Sequence, residues 1–295
     1  MKERLRGVFA PITTPFEADG KVAYDALKSN MEKYAASPIH GYLALGSNGE
    51  NKSLTNEEKE KVLKIIVDYK APQQIVMAGC IFESTIETID FAKRAEQMGA
   101  DFITMLPPSY FKKQMTDAVL IKYFTDIADA VSIPCLVYNA PQFSGGITLS
   151  PALIKEVSKH PNIVGMKDSS TGNIDKYLMA AEESFAVMAG SANFFFNALL
   201  MGATGGVISL ANAFPDITVA LYKATYQLDI QKAIALNKKI LRANKAVSGK
   251  GGVAAVKAAM DLAGFYGGDP RLPLLPMDKE DIEEMKKTLI KEGIL

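Results

Sequence analysis

Short apolar runs alternate with longer amphipathic patterns along most of the chain. Eight of these runs are short and apolar on both faces, as strands buried within a parallel sheet are. Each is followed by a stretch with the apolar spacing of a helix, which indicates a series of βα units. Eight such units predict an α/β fold of the (β/α)8 TIM-barrel type, and a doubly wound sheet is the alternative.

The boundaries follow from the apolar periods and from turn residues. The predicted strands are Gly7–Thr13, Gly41–Ala44, Gln74–Ala78, Phe102–Met105, Cys135–Tyr138, Ile163–Lys167, Ala186–Ala189 and Gly205–Ser209. The predicted helices are Tyr24–Ala36, Thr55–Asp68, Ser84–Met98, Thr116–Val131, Ser150–Lys159, Asp175–Glu183, Phe194–Met201 and Pro215–Gln227. Thr55 with Glu58, and Ser84 with Glu87, match the capping-box pattern at a helix start.

The barrel is predicted to occupy residues 1–228 and to carry the active site. Residues 229–295 form a C-terminal helical extension in this interpretation, with helices at Ile230–Val247, Val253–Leu262 and Lys279–Glu292. Glycines and prolines mark the loops between these helices.

Charge and hydropathy exclude several classes of protein. The 295 residues carry 33 basic and 33 acidic side chains, so the excess positive charge of a nucleic-acid-binding protein is missing. Residues 184–215 contain no charged side chain, but the glycines and asparagines within them favour a buried strand–helix–strand unit over a membrane span. The short polar N-terminus and the two widely separated cysteines, Cys80 and Cys135, predict a cytoplasmic protein with reduced thiols.

The two histidines give no support to a metal site. His40 and His160 precede the second and sixth predicted strands, which places them at the end of the barrel opposite to the usual active site. Neither has a second histidine or a carboxylate at ligand spacing in the sequence. We therefore expect both to be structural, with no metal and no histidine-based catalytic triad.

Polar residues at the ends of strands five and six are the best candidates for chemistry. Lys167 ends an apolar strand and would point into the barrel mouth, where desolvation lowers the pKa of an ammonium and yields a nucleophilic amine. Tyr138 ends the preceding strand and can transfer protons there. A surface lysine that opens a loop and a tyrosine in the core are the alternatives for these two residues.

A turn of small residues follows the second strand, with the sequence Gly46-Ser47-Asn48-Gly49-Glu50. Its backbone N–H groups can form a nest for a carboxylate, and the Ser47 hydroxyl can relay a proton. The spacing fits neither a phosphate-binding P-loop nor the dinucleotide fingerprint.

Several motifs in order along the chain carry a resemblance to a known family. They are Gly7 to Phe16, Gly46 to Glu50, Pro107-Pro108-Ser109-Tyr110-Phe111-Lys112, Tyr138-Asn139-Ala140-Pro141, Gly165-Met166-Lys167-Asp168, Ala189-Gly190-Ser191 and Gly205 to Ser209. Together they resemble the pyruvate-dependent class I aldolases and lyases that include dihydrodipicolinate synthase, N-acetylneuraminate lyase and 4-hydroxy-2-oxoglutarate aldolase. The resemblance covers nearly the whole chain.

This resemblance implies the catalytic residues. Lys167 would form a Schiff base with the substrate, and Tyr138 would act as the acid and base. Ser47 would link Tyr138 to Tyr110, which in many relatives reaches across a subunit interface. The resemblance also implies a homotetramer built as a dimer of dimers, and no metal or organic cofactor.

The resemblance further implies the substrate contacts. Pyruvate or another 2-oxo acid would place its carboxylate on the backbone of the turn that contains Gly46, Ser47 and Asn48. Gly190 and Ile208 would line the pocket. Phe143 would face the second substrate, an aldehyde.

Departures from the family pattern bear on that aldehyde. Phe143 occupies the position where true dihydrodipicolinate synthases have an arginine for the carboxylate of aspartate semialdehyde, so the bidentate anchor for that substrate is lost. Ser109 and Glu83 differ from the residues expected in a lysine-inhibited synthase. The turn and the Lys167 motif are most similar to those of 4-hydroxy-2-oxoglutarate aldolase.

Three functions therefore remain open from the sequence. The first is an aldolase of the 4-hydroxy-2-oxoglutarate type, or a related 2-oxo acid aldolase. The second is a dihydrodipicolinate synthase that takes its carboxylate anchor from Lys112 or Lys113. The third is a catalytically idle relative that binds small molecules.

Overall fold

Eight parallel strands pair in sequence order around a closed barrel in the computed structural model, which describes residues 1–170, 174–249 and 251–295. The strands are β1 (Gly7–Pro11), β2 (Gly41–Ala44), β3 (Ile75–Cys80), β4 (Phe102–Met105), β5 (Cys135–Asn139), β6 (Ile163–Asp168), β7 (Ala186–Ala189) and β8 (Gly205–Val207). Closure comes from β1 and β8, which pair in parallel with Gly7 opposite Gly205. The predicted barrel is therefore confirmed, and the doubly wound sheet is excluded.

Within the described residues, an α-helix follows each strand, and three further α-helices form the extension. The helices after the strands are α1 (Tyr24–Ala35), α2 (Asn56–Tyr69), α3 (Thr85–Gln97), α4 (Asp117–Ala130), α5 (Pro151–Val157), α6 (Ile174–Ala180), α7 (Phe195–Leu200) and α8 (Pro215–Tyr226). The extension contains α9 (Ile230–Val247), α10 (Gly252–Leu262) and α11 (Lys279–Lys291). The apolar stretch 184–215 spans β7, α7 and β8, as predicted, and no helix in the described ranges has the length and apolar character to cross a membrane.

Several helices and strands end earlier than predicted, because side chains form hydrogen bonds with backbone groups near their ends. Strand β8 stops at Val207 because Ser209–Asn212 turns into a short 3-10 helix, from which the Asn212 amide donates to the Pro11 carbonyl (2.9 Å). The Ser158 hydroxyl donates to the carbonyl of Lys155 and accepts the N–H of Glu182 (both 3.1 Å). This hydroxyl ends α5 and holds the chain beyond α6 in a non-helical path.

Two of the predicted helix caps are present. Thr55 Oγ1 accepts the N–H of Glu58 (3.2 Å), and Glu58 Oε2 accepts the N–H of Thr55 (2.9 Å), so the capping box is complete. Ser84 accepts the N–H of Glu87 (3.2 Å), whereas the Glu87 side chain accepts from Asn56 (3.5 Å). These bonds satisfy N–H groups that a helix start otherwise leaves unpaired.

The core has two layers because strand side chains alternate between the barrel interior and the helices. The interior cluster is small and fully buried: Leu5, Phe9, Leu43, Met77, Phe102, Leu136, Ala186, Met188 and Val207. Outside the sheet, a much larger apolar cluster joins the strands to the helices and to the extension. The interior cluster fills the barrel below the carboxyl ends of the strands, so polar side chains at those ends lie above an apolar floor.

The C-terminal extension is attached to the barrel by specific bonds. Asn30 of α1 exchanges two hydrogen bonds with the backbone of Tyr266, one in each direction (both 2.8 Å). Helices α9 and α11 are joined by the Arg242 guanidinium, which binds the Glu292 carboxylate at 2.6 and 2.7 Å. The extension is thus fixed against the barrel, next to the end at which the strands terminate.

Candidate active site

The register between β5 and β6 brings two predicted catalytic residues together. Tyr138 lies directly opposite Lys167 in this parallel pair, and both are at the carboxyl ends of their strands. Lys167 Nζ is 4.3 Å from the centre of the Tyr138 ring, and the lysine is only 3% exposed. The next residue, Asp168, directs its carboxylate elsewhere, where Oδ1 accepts from Asn139 (2.7 Å) and from the N–H of Ser170 (3.1 Å).

A cavity of about 770 Å³ opens above this pair. Of the predicted site residues, Ser47, Asn48, Tyr138, Phe143, Lys167 and Gly190 line it. Its size suits a small organic molecule. Six of the nine predicted residues are thus on the cavity wall, in one continuous space above the barrel floor.

The Tyr138 phenol has an unusual electrostatic environment. Burial by itself would raise the pKa of this phenol, but the Lys167 charge and hydrogen bonds from Ser47, Lys167 and Ser169 outweigh it, so that the pKa is lowered. Ser47 Oγ lies 3.4 Å from the Tyr138 hydroxyl, at the outer limit of a hydrogen bond. A tyrosine so placed gives up and takes back a proton more readily than an ordinary one.

The turn after β2 is ordered by bonds to its neighbours. Asn48 Nδ2 donates to Ser209 Oγ (2.9 Å), which joins this turn to the loop after β8. Thr14 Oγ1 donates to the Gly49 carbonyl (2.7 Å), and the N–H of Glu50 donates to the Ser47 carbonyl (3.0 Å). Ser47 and Asn48 are therefore presented to the cavity by a turn with little freedom.

Gly190 allows the ends of β6 and β7 to approach closely. Its N–H donates to the Asp168 carbonyl at 2.6 Å. A Cβ atom at this position would lie 2.0 Å from Ser169 Oγ and 2.7 Å from the Asp168 oxygen. The position accepts only glycine without a displacement of the strand end that carries Lys167.

Three predicted residues do not line the cavity. Gly46 is buried at the start of its turn, and Ile208 is fully buried within the layer between sheet and helices. Ser209, the neighbour of Ile208, faces the cavity instead. Tyr110 is 82% exposed on the surface of this chain, where its ring meets Phe111 edge to face with centroids 5.0 Å apart.

Glu83 shapes the loop that carries Tyr110. Its carboxylate accepts the backbone N–H groups of Ser109 (2.8 Å) and Tyr110 (3.0 Å). Burial opposes ionisation of Glu83, yet these hydrogen bonds and the Lys52 charge together lower its pKa. The glutamate that departs from the family pattern is thus an anchor for the exposed tyrosine.

Sequence reasoning missed a hydrogen-bonding wall on the far side of the cavity. Ser169, Ser191, Asn193, Ser209 and Ser248 line it with neutral polar groups. Asn193 is itself held by Asn244 of α9 (2.9 Å), and Ser248 Oγ is buried with no hydrogen-bond partner among the described residues. No spacing rule signals these residues, because they come from four different segments.

The C-terminal extension also contributes to the cavity, although the prediction placed the active site within residues 1–228. Ser248, Gly252, Val253 and Val256 line its upper wall. One signal for this was available: Lys257 is the single charged residue in an otherwise apolar run from Val253 to Met260. Such a residue in a buried helix indicates a specific partner for its charge.

The histidines and the alternative lysine anchors lie outside the cavity. His40 Nδ1 accepts the N–H of Val8 (3.1 Å), and burial, together with the nearby Lys223 charge, lowers the pKa of this imidazole. His160 contacts Asp129 (3.0 Å), a carboxylate partner that the sequence did not reveal.

Lys112 and Lys113 are exposed in a short 3-10 helix, and neither lines the cavity. Across the described ranges no group of three or more histidine, cysteine, aspartate or glutamate residues is placed to hold a metal ion.

The chain is similar in sequence to known proteins over most of its length. A model of the dihydrodipicolinate synthetase family matches residues 4–292. A 4-hydroxy-tetrahydrodipicolinate synthase from Methanospirillum hungatei is 33% identical over 290 residues, covering 97% of this chain and 98% of that protein. A probable mitochondrial 4-hydroxy-2-oxoglutarate aldolase from Emericella nidulans is also 33% identical over 290 residues, covering 95% and 93%.

Solved structures agree with this similarity. YagE, a prophage protein of the dihydrodipicolinic acid synthase family from E. coli in complex with pyruvate, superposes with a TM-score of 0.91 at 27% identity, covering 98% of this chain and 99% of that one. A chloride-inhibited dihydrodipicolinate synthase from Acinetobacter baumannii, complexed with pyruvate, gives a TM-score of 0.92 at 29% identity, covering 99% and 100%.

Proposed function

Because the chain belongs to the dihydrodipicolinate synthetase family, we propose that it is a lyase that joins pyruvate to an aldehyde, or separates them, through an imine on Lys167. One observation carries the proposal: a lysine only 3% exposed lies near the carboxyl end of β6 beside a tyrosine, at the floor of an open cavity. A lysine buried beside a proton donor at the floor of a cavity is suited to act as a nucleophilic amine.

The chemistry follows from that amine. The neutral nitrogen adds to the carbonyl carbon of pyruvate, and loss of water gives a protonated imine. Removal of a proton from the adjacent methyl group then gives an enamine, whose carbon attacks the aldehyde carbonyl and forms the new bond. Hydrolysis of the product imine restores the lysine. The protonated imine is the electron sink, so this reaction needs neither a metal nor an organic cofactor.

Tyr138 is the acid and base in this proposal. Its hydroxyl lies beside Lys167 and has a lowered pKa, which suits proton transfer to and from the carbinolamine and the enamine. Ser47 is close enough to exchange a proton with it. The carboxylate of pyruvate would bind the turn at Ser47 and Asn48, which faces the same space.

The aldehyde is best described as one recognised through hydrogen bonds. The described lining residues include no arginine, and the far wall is built from serine and asparagine side chains. Support for 4-hydroxy-2-oxoglutarate, or for a related 2-oxo acid, over aspartate semialdehyde comes from the turn at Ser47 and the Lys167 motif, which resemble those of 4-hydroxy-2-oxoglutarate aldolase. The second candidate is 4-hydroxy-tetrahydrodipicolinate synthase, because several relatives at 31–35% identity carry that name.

The proposal also covers the oligomeric state of the protein and its location in the cell. We propose that Tyr110 completes the site of a second copy in a homotetramer, since it is strongly exposed beside Phe111. The exposed pair would then be buried at an interface. A cytoplasmic location is consistent with the two cysteines, both free and buried.

The first test is trapping of the imine. The protein is incubated with pyruvate and borohydride, and the reduced adduct is located by peptide mass spectrometry. We expect one added unit on Lys167, and we expect neither adduct nor turnover in Lys167→Ala. The control is Lys59→Met, which removes another buried lysine and should leave the adduct intact. A folded wild-type protein without adduct, or an active Lys167→Ala variant, would refute the assignment and favour the idle relative.

The second test identifies the reaction. Pyruvate release from 4-hydroxy-2-oxoglutarate is compared with condensation of pyruvate and aspartate semialdehyde, the latter coupled to the downstream reductase. We expect a higher kcat/KM for the first. The reverse order would assign the chain as the synthase.

A further inference from the structure

The turn that carries Ser47 and Asn48 has a strained backbone at both ends. Leu45 and Glu50 adopt left-handed conformations, with φ of 57° and 53°. Only one other non-glycine residue in the described ranges, Leu228, has a positive φ. Residues with side chains rarely adopt this conformation, and they keep it only where surrounding contacts enforce it. The contacts that fix Glu50 therefore determine how Ser47 and Asn48 are presented.

Those contacts come from the C-terminal extension. Glu50 Oε1 forms an ion pair of 2.7 Å with Lys257 Nζ of α10, and both side chains are fully buried. Lys257 also donates to the Asp269 carbonyl (3.0 Å) and lies 4.4 Å from the centre of the Phe16 ring. Glu50 Oε2 accepts the backbone N–H of Arg271 (2.9 Å).

Arg271 continues the connection toward α2. Its guanidinium binds the Glu58 carboxylate in a fork, at 2.7 and 2.8 Å. It also donates to the carbonyls of Gly20 and Ser53. The segment after the turn is thus held on both sides by the extension.

A buried ion pair is a costly way to obtain stability alone, because desolvation of two charges offsets much of their attraction. What such a pair supplies is a defined geometry, since few other arrangements satisfy both charges. Here the pair joins the turn of the 2-oxo acid site to α10. Val256, the neighbour of Lys257, lines the same cavity, so helix α10 both lines the cavity and holds the turn through Lys257.

We propose that the Glu50–Lys257 pair positions the turn that binds the carboxylate of the 2-oxo acid, so that the C-terminal extension is part of the active site. Both are positioning residues, since they act through Ser47 and Asn48. The inference rests on the proposed function, because it concerns the affinity of that same site for pyruvate.

The test measures pyruvate binding separately from later steps. The fraction of protein trapped by borohydride is recorded as a function of pyruvate concentration, together with KM, kcat and the thermal midpoint. Glu50→Gln is the main variant, because it keeps the side-chain volume and an oxygen for the Arg271 N–H. Lys257→Met is the second. Arg242→Met is the matched control, since it removes an ion pair of the same extension that lies away from the cavity.

We expect Glu50→Gln and Lys257→Met to raise the half-saturating pyruvate concentration at least ten-fold, with full trapping at saturation because Lys167 is intact. KM for pyruvate should rise more than kcat falls. The control should stay within two-fold of wild type. If Lys257→Met does not fold, Glu50→Gln decides the question alone.

Two results would overturn the inference, and they are distinguishable. A folded Glu50→Gln with a lowered midpoint but an unchanged pyruvate dependence would show that the pair serves stability only. A wild-type protein that forms no adduct at any pyruvate concentration would instead remove the proposed function, and this inference with it.

Discussion

Replacement of Gly190 by alanine tests whether the close contact between β6 and β7 sets the position of Lys167. The new Cβ would lie 2.7 Å from the Asp168 carbonyl oxygen, a backbone atom that cannot rotate away as Ser169 Oγ can. Relief of that overlap requires a shift of roughly 0.5 Å, and overpacking of this kind costs about 1–3 kcal/mol. The shift also lengthens the 2.6 Å bond from the Gly190 N–H to the same oxygen, at about 1 kcal/mol more.

The sum is about 2–4 kcal/mol of unfolding free energy, which for a chain of this size lowers Tm by on the order of 10 °C. The displaced strand end carries Lys167. A displacement approaching 1 Å can cost up to roughly 100-fold in rate, so we expect kcat/KM for pyruvate-dependent turnover to fall about 10- to 100-fold at temperatures where the variant is folded. Differential scanning calorimetry and steady-state kinetics measure the two effects.

Gly41→Ala is the control for this experiment. Its Cβ would lie 2.2 Å from the Ile75 carbonyl oxygen, a comparable overlap between neighbouring strands, but at the amino end of β2. We expect a loss of stability at least as large with near-normal kinetics of the folded protein. Wild-type stability and activity in Gly190→Ala would refute the reasoning, as would an equal kinetic loss in Gly41→Ala.

Four further outcomes are expected. Tyr138→Phe should lower kcat by about 10²- to 10⁴-fold. In the wild type, kcat should fall as the pH decreases through the lowered pKa of Tyr138, because the phenolate is then protonated. A Tyr138→Phe variant whose kcat shows the same fall at low pH would argue for another base. Phe143→Arg should improve kcat/KM for aspartate semialdehyde, and an unchanged substrate preference would place specificity elsewhere. Thr55→Ala removes the capping box and should lower the free energy of unfolding, measured by thermal denaturation, by about 1 kcal/mol, while the pyruvate adduct forms normally. An unchanged Tm would contradict a stabilising contribution of the capping box. Dialysis against EDTA should leave turnover intact, and loss of activity restored by a divalent cation would contradict the metal-free mechanism.

The parts of the molecule that the sequence predicted are those that local periodicity determines. Lys167 closes an apolar run in the sequence and lies one residue before the end of β6. The rule that barrel sites lie at strand ends then places it beside Tyr138. Ends of elements were less predictable, because they depend on partners distant in sequence. Ser158, for example, ends α5 while its hydroxyl binds the N–H of Glu182.

The remaining site residues depend on tertiary packing. Ser191 and Ser248 face one cavity only because the loop after β7 and the end of α9 meet there, and no local pattern distinguishes them from other serines. Ile208 and Ser209 illustrate the same limit, since a shift of one position along the chain decides which of the two side chains faces the cavity. Glu50 belongs to a recognised turn, but its partner Lys257 lies 207 positions further on, so only the fold reveals the pair.

The order in which the chain is made has a consequence for when the protein becomes competent. Translation proceeds from the amino end at about 5–20 residues per second, and nascent segments begin to fold as they leave the ribosome. The barrel cannot close before β8 has emerged to pair with β1. Lys257 and the upper wall of the cavity emerge later still. The cavity above Lys167 is therefore complete only after the last part of the chain has been made, and on the proposed function the protein would acquire its affinity for the 2-oxo acid at that late stage.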